Sequence, residues 1–220
     1  MNLTLDVSTD YTIWDNRESV TYRLKTSSGA YQLYDLTDCM AEAPTFKEQA
    51  ASGGVYTSQD RAWNLPAKIV TAAVMAGQPK PGDQITDENG STWTVLNVAL
   101  NTWKTCWRLM CRNLALAYGL RDTITIQRGS VTRDASGSHR VTWHDQYTGV
   151  QARVQLVSQR SMDMLGVTGT KGDYLVVIDR DIERTAVDRV VWGTTYLDIN
   201  ELRNPQRIDE LPVLDCTKVP

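Results

Sequence analysis

Apolar residues fall at every second position through much of the chain: Leu3 and Leu5, Tyr11 and Ile13, Val20, Tyr22 and Leu24, then Tyr31 and Leu33. A period of two is the spacing of strands with one buried face. The polar clusters Asp15-Asn16-Arg17-Glu18 and Ser27-Ser28-Gly29 separate these runs as turns, which predicts three or four short strands over residues 1–39. Residues 40–66 lose the period, with Pro44, Gly53-Gly54 and Pro66 as breakers. They read either as a long functional loop or as a short helix around Phe46 to Ala51 joined by ordinary turns. The run from Ile69 to Ala76 suits a strand or a helical turn and is ended by Pro79-Lys80-Pro81-Gly82. Asn89-Gly90 then predicts a type I′ hairpin turn. Alternating strands follow at Trp93 to Val98 and Trp107 to Cys111, and Arg112 to Gly119 reads as a connector or the end of a short helix.

The second half resumes the same period at Leu120 to Arg128, leaves it through Asp134 to Gly137, and returns in Val141-Thr142-Trp143 and again from Val150 to Leu156. Residues 157–172 break it, Asp173 to Ile178 resumes it, and Arg189 to Gly193 leads into a last hairpin closing at Leu214-Asp215-Cys216. That hairpin echoes the one in the first half. Setting Gly90 on Gly193 puts Trp93 on Tyr196, Asn97 on Asn200 and Asn101 on Asn204, with Cys111 and Cys216 two residues out of step. The expected fold is therefore all-β, as two tandem small β-barrel or sandwich domains related by a degenerate internal repeat. The expected domains are residues 1–116, with a long central loop, and 117–220.

Composition narrows the chemistry. The net charge is −3 over 220 residues. Both halves are slightly acidic, which lacks the basic excess that binding to phosphate backbones requires. No apolar run approaches the ~20 residues of a membrane span. Met1 to Asp6 has neither the basic start nor the apolar core of a signal peptide, so residence in a cytosol or a particle assembled there is expected. The four cysteines form no C-x-x-C pair. They read as buried reduced thiols, with Cys106 and Cys111 on opposite sides of one strand.

No motif for catalysis, cofactor or metal emerges. Gly166 to Gly172 lacks the spacer and the Gly-Lys-Ser/Thr end of a phosphate loop. Asp87-Glu88-Asn89-Gly90 has Ile85 and Leu96 where a calcium loop needs ligands, so it reads as a turn. His139 and His144 stand beside turns or strand ends with no nucleophile elbow nearby. Asp179, Asp181 and Glu183, interleaved with Arg180 and Arg184, read as a charged edge that discourages strand pairing. Trp93, Trp143 and Trp192 are expected in the core. Residues 158–172 are the candidate contact segment: Gly166, Gly169 and Gly172 predict mobility, and Met162, Met164 and Leu165 offer adaptable apolar contacts.

The order of features in residues 120–216 resembles that of the bacteriophage head-tail joining proteins. The pieces that carry it are Ile124-Thr125-Ile126-Gln127-Arg128, the Gly137 turn before Val141-Thr142-Trp143, and Val150 to Val154. A mid-domain loop follows, then Asp188-Arg189-Val190, Tyr196 to Ile199, the Asn204-Pro205 turn and Leu214-Asp215-Cys216. The resemblance implies a small β-barrel that forms a ring beneath the portal vertex as adaptor or stopper. Its implied partners are the portal protein and tail or tail-terminator proteins, with DNA passing through the lumen without sequence-specific binding. It also implies a place in the virion neck, no cofactor, and Arg160, Met162, Met164, Leu165 and Lys171 as partner contacts. Family members usually carry one such domain, whereas here a degenerate copy precedes it. The alternative from another class is a tail, baseplate or carbohydrate-binding double β-domain with Trp63, Trp103 and Trp107 as an aromatic platform.

Overall fold

The computed structural model describes residues 15–27, 29–71, 77–133, 137–157, 174–185 and 187–219. The strands expected at Leu3–Leu5 and Tyr11–Ile13 lie outside the described residues. The chain forms two compact units, Met1–Ala117 and Tyr118–Pro220.

In the first unit, β1 (Arg17–Lys25), β2 (Tyr31–Glu42), β3 (Arg61–Pro66), β4 (Gln84–Thr86), β5 (Thr92–Leu100) and β6 (Cys106–Arg112) close into a barrel in the order β1-β2-β3-β6-β5-β4. The ring closes where β4 pairs with β1, Ile85 opposite Tyr22. Tyr22, Leu36, Trp63, Leu65, Ile85 and Leu109 fill its interior. The Tyr22 hydroxyl donates to Asp83, itself fully buried, at 2.7 Å. Asp83 also accepts from the amides of Lys25 and Lys80 at 2.8 and 3.0 Å. Three donors are what a buried carboxylate needs to offset its lost hydration. Burial first, then the hydrogen bond to Asp83 and its charge, push the Tyr22 phenol far up, so it stays a donor.

Residues 40–66 hold ordinary elements. β2 continues to Glu42, and α1 (Phe46–Ala51) follows, started by a capping box between Thr45 and Glu48. The period is lost after it because Ala62 to Pro66 are buried in succession, so β3 is covered on both faces. The run after it begins as α2 (Ala67–Thr71), and 72–76 lie outside the described residues. The β4–β5 turn is not type I′. Gly90 alone has positive φ, at 77°, its amide bonds to the Asp87 carbonyl, and the Asp87 carboxylate accepts from the amides of Asn89 and Ser91. The connector is a single helical turn, α3 (Leu114–Tyr118), ended by Gly119 at φ 64°.

In the second unit, β7 (Asp122–Arg133), β8 (His139–Leu156), β9 (Tyr174–Ile178), β10 (Asp188–Trp192), β11 (Thr195–Arg203) and β12 (Val213–Lys218) form the second closed barrel. Read from β7, its order is β7-β8-β9-β12-β11-β10, the order of the first barrel. Closure leaves no open barrel edge, so the charged segment Asp179 to Glu183 does not guard one. It is the β9–β10 connection, tied down where Tyr147 accepts from the Glu183 amide and Arg184 donates to the Ile199 carbonyl.

The echo between the two hairpins is one residue off in register. Trp93 is buried and pairs with Ile85, whereas Tyr196 is exposed and pairs with Val191. The buried residue in the place of Trp93 is Leu197, opposite Val190. Each hairpin then carries a bulge, between Val95 and Asn97 and between Ile199 and Glu201. Cys111 pairs with Val95 and Cys216 with Ile199.

The segments Val141–Trp143 and Val150–Leu156 are one strand of 18 residues. Two irregularities in the β7–β8 register hid this: Ile124 pairs with Val150, Ile126 with Tyr147 and Gln127 with Asp145. Each step inserts an extra residue on β8, which bends the strand and resets which side chains face inward. Beyond them β7 and β8 continue together as a two-stranded arm, paired out to Arg133 and His139.

Candidate functional site

Arg160, Met162, Met164, Leu165 and Lys171 lie outside the described residues. Their segment leaves the second barrel where Leu156 pairs with Tyr174, at the end of β8 opposite the arm.

The described chemistry of the second unit concentrates at the base of the arm. Ile124 and Ile126 on β7 point into the barrel, so even-numbered positions face inward there. Along the arm the apolar residues move to the odd positions. Val131 and Val141 sit opposite one another and are 52% and 41% exposed, and Trp143 sits opposite Gly129. The row continuing the barrel interior becomes Ser130, Thr132, Thr142 and His144, all exposed. The arm is thus inside out relative to its barrel.

Arg189 of β10 fixes Trp143 in place. Its guanidinium lies 3.8 Å from the Trp143 ring and 4.3 Å from the Tyr196 ring, and Nε donates to Gln127 at 2.9 Å. A cation between two aromatic faces is held by both ring quadrupoles. Gly129 is required beside it, since a Cβ there would stand 2.7 Å from Cγ1 of Val187 and 3.0 Å from Cγ1 of Val141.

A buried carboxylate anchors the same corner. Asp188 accepts from the Thr185 amide and hydroxyl at 2.7 and 2.8 Å and takes a bidentate pair from Arg128. Burial pushes its carboxyl up, but the bonds from Arg128 and Thr185 outweigh that and hold it below the usual range. The first barrel uses the same device: Asp60 accepts from the Thr57 amide at 2.7 Å and takes both Nε and Nη2 of Arg112 at 2.8 Å. The signal in the sequence is Thr-x-x-Asp before a strand, in Thr57–Asp60 and Thr185–Asp188, and sequence reasoning missed it.

The first unit also carries a groove of about 410 Å³ between α1 and the β5–β6 wall, lined by Ala51, Val55, Tyr56, Ala99 and Met110. Arg108 closes one side, bonding Glu48 at 2.6 and 3.1 Å and Glu42 and Asn64 at 3.0 Å. The Arg108 guanidinium pulls the Glu48 carboxyl down to about 2.

The expected aromatic platform does not form. Trp63 is fully buried and Trp107 is 8% exposed, because both lie on strands that face the core, which leaves Trp103 alone at the surface. Trp93 is in the core as expected, but Trp143 and Trp192 are only half-buried. Ser130 Oγ and His144 Nε2 are 3.4 Å apart on the arm, with His144 in mid-strand rather than at a strand end. Cys39, Cys111 and Cys216 are buried free thiols and Cys106 is half-buried. Burial pushes Cys39 and Cys216 up to about 12 and Cys106 up to about 11, so all three stay protonated near neutrality. Among the described residues, no helix is long and apolar enough to cross a membrane and no group of three or more His, Cys, Asp or Glu is placed to hold a metal ion.

No protein-family model matches this chain, and no curated protein matches it. What the site can do therefore rests on its own geometry: an outward apolar stripe on a two-stranded arm, suited to contact with another protein surface.

Proposed function

We propose that the chain is a structural component of a tailed-phage neck, an adaptor or stopper that forms a ring between portal and tail. The observation that carries this reading is the second unit. It is a small closed barrel in which the described features of residues 120–216 that resemble head-tail joining proteins fall, in chain order, on β7, β8, β10, β11 and β12 and the turns between them, and it carries an arm with an outward apolar row. The first unit enters as a second copy of one barrel plan. The shared strand order and the paired bulges in β5 and β11 support that relation. In this reading the partners are the portal and tail or tail-terminator proteins. DNA passes through the lumen without sequence-specific contacts, and Arg160, Met162, Met164, Leu165 and Lys171 touch a neighbouring ring or the channel. The protein works in the virion neck after assembly in the host cytoplasm, without cofactor or catalysis.

Two experiments test this. Co-expression with the portal of the parent phage is expected to yield a ring-shaped complex by electron microscopy, and a chain recovered only as free monomer contradicts the reading. Deleting residues 160–170 is expected to leave circular dichroism and melting unchanged but to abolish DNA retention in the head. An unchanged yield of infectious particles counts against the assigned contacts.

A further inference from the structure

Among the described residues, the arm leaves strand backbone without a neighbour on both of its sides. Closing a sheet removes its edges, yet among the described residues β7 beyond Gly129 and β8 from His139 to Tyr147 pair only with each other. A two-stranded ribbon is marginal in water by itself and gains stability when a further strand or surface covers it. Natural edges are blunted by proline, by bulges or by inward charges. None of these interrupts Ser130 to Thr132 or Val141 to His144. The apolar row Val131, Val141 and Trp143 faces outward.

We propose that the arm is the assembly edge of the molecule: the β8 edge of one copy pairs antiparallel with the β7 edge of the next, joining copies head to tail. The occupant follows from the two edges. The β8 edge needs a strand running as β7 runs, and the β7 edge needs one running as β8 runs. The arm of a second copy supplies both. A two-fold contact through one edge would leave the other open, whereas a head-to-tail contact satisfies every edge once the copies close into a ring. Pairing at equal height also sets Val141 of one copy beside Val131 of the next, as the two already stand within one arm, so the apolar row runs on across the junction. The proposal deepens the ring in the neck reading and rests on that part of it, but it does not require the portal.

Mixed cysteine cross-linking tests it. Ser130 and Thr142 are exposed and opposite one another across the arm, so in a level ring they are also opposite between copies. In a Cys106→Ser background, one preparation carries Ser130→Cys and another Thr142→Cys, each oxidised alone and as a mixture at about 1 mM, where an association of ~4 kcal/mol is half-populated. The mixture is expected to give dimers containing one chain of each kind, and Val141→Lys in both chains is expected to cut their yield at least tenfold. Dimers of like chains, or monomers only, overturn the proposal. Should either variant fail to fold, Thr132→Cys with Arg140→Cys, the next opposite pair on the same row, replaces it under the same criteria. A ring on the portal without these cross-links overturns the arm contact and leaves the neck reading standing. Cross-linked arms in a chain that ignores the portal do the reverse.

Discussion

The guanidinium of Arg189 lies over two rings, those of Trp143 and Tyr196. Arg189→Lys keeps the charge but removes the stacking face and the donor to Gln127. A loss of about 1 kcal/mol from the second barrel is expected in urea titration, with a shift in tryptophan emission. An unchanged midpoint and spectrum would mean that the stack holds nothing. Glu48 makes a different prediction. Arg108 holds its carboxyl near 2, below the usual 4.5, so the folded protein resists its protonation more than the unfolded chain does. Its contribution is complete above pH 4.5 and is lost as the pH falls toward about 2. Glu48→Gln should therefore lower the urea midpoint of the first unit near neutrality, with the gap to the parent protein closing as the pH drops. A gap that does not change with pH would contradict the assigned cause.

Single elements show where the arm depends on one position. Gly129 has an ordinary backbone conformation, so the case for glycine there is space: Val187, Val141 and Trp143 crowd the place of a Cβ. Gly129→Ala is expected to cost about 1–3 kcal/mol by overpacking and to raise hydrogen exchange along 130–133 and 139–145 while leaving the first unit unchanged. Uniform protection would contradict that. The sequence made strands such as β1, β5 and β11 legible because each buries one face, which writes a period of two. It hid β3, whose residues Ala62 to Pro66 are buried on both faces, and with it the true place of Trp63. It split β8 in two because the inserted residues shift the phase between Val150 and Val141. The outward row was present in the sequence as a change from even apolar positions at Ile124 and Ile126 to odd ones at Val131, Val141 and Trp143. The turn expected at Gly137 does join β7 to β8, and the change of phase on either side of it was indistinguishable from a break in the strand. The contacts of Arg189 and Asp188 join residues 46 and 60 positions apart, beyond what local spacing conveys.

For the whole molecule, two closed barrels with one strand order leave few ways for copies to meet. A closed barrel offers a neighbour mainly side chains and loops, whereas among the described residues the arm offers backbone along both of its strands. Paired barrels in one chain suit a collar in which one polypeptide supplies two modules. In the proposed neck, half as many chains are expected in the ring as there are subunits in the portal. Native mass spectrometry of the chain co-purified with its portal counts both directly. One chain for every two portal subunits is the predicted result, and equal numbers of the two, or a chain that never joins the portal, would contradict it.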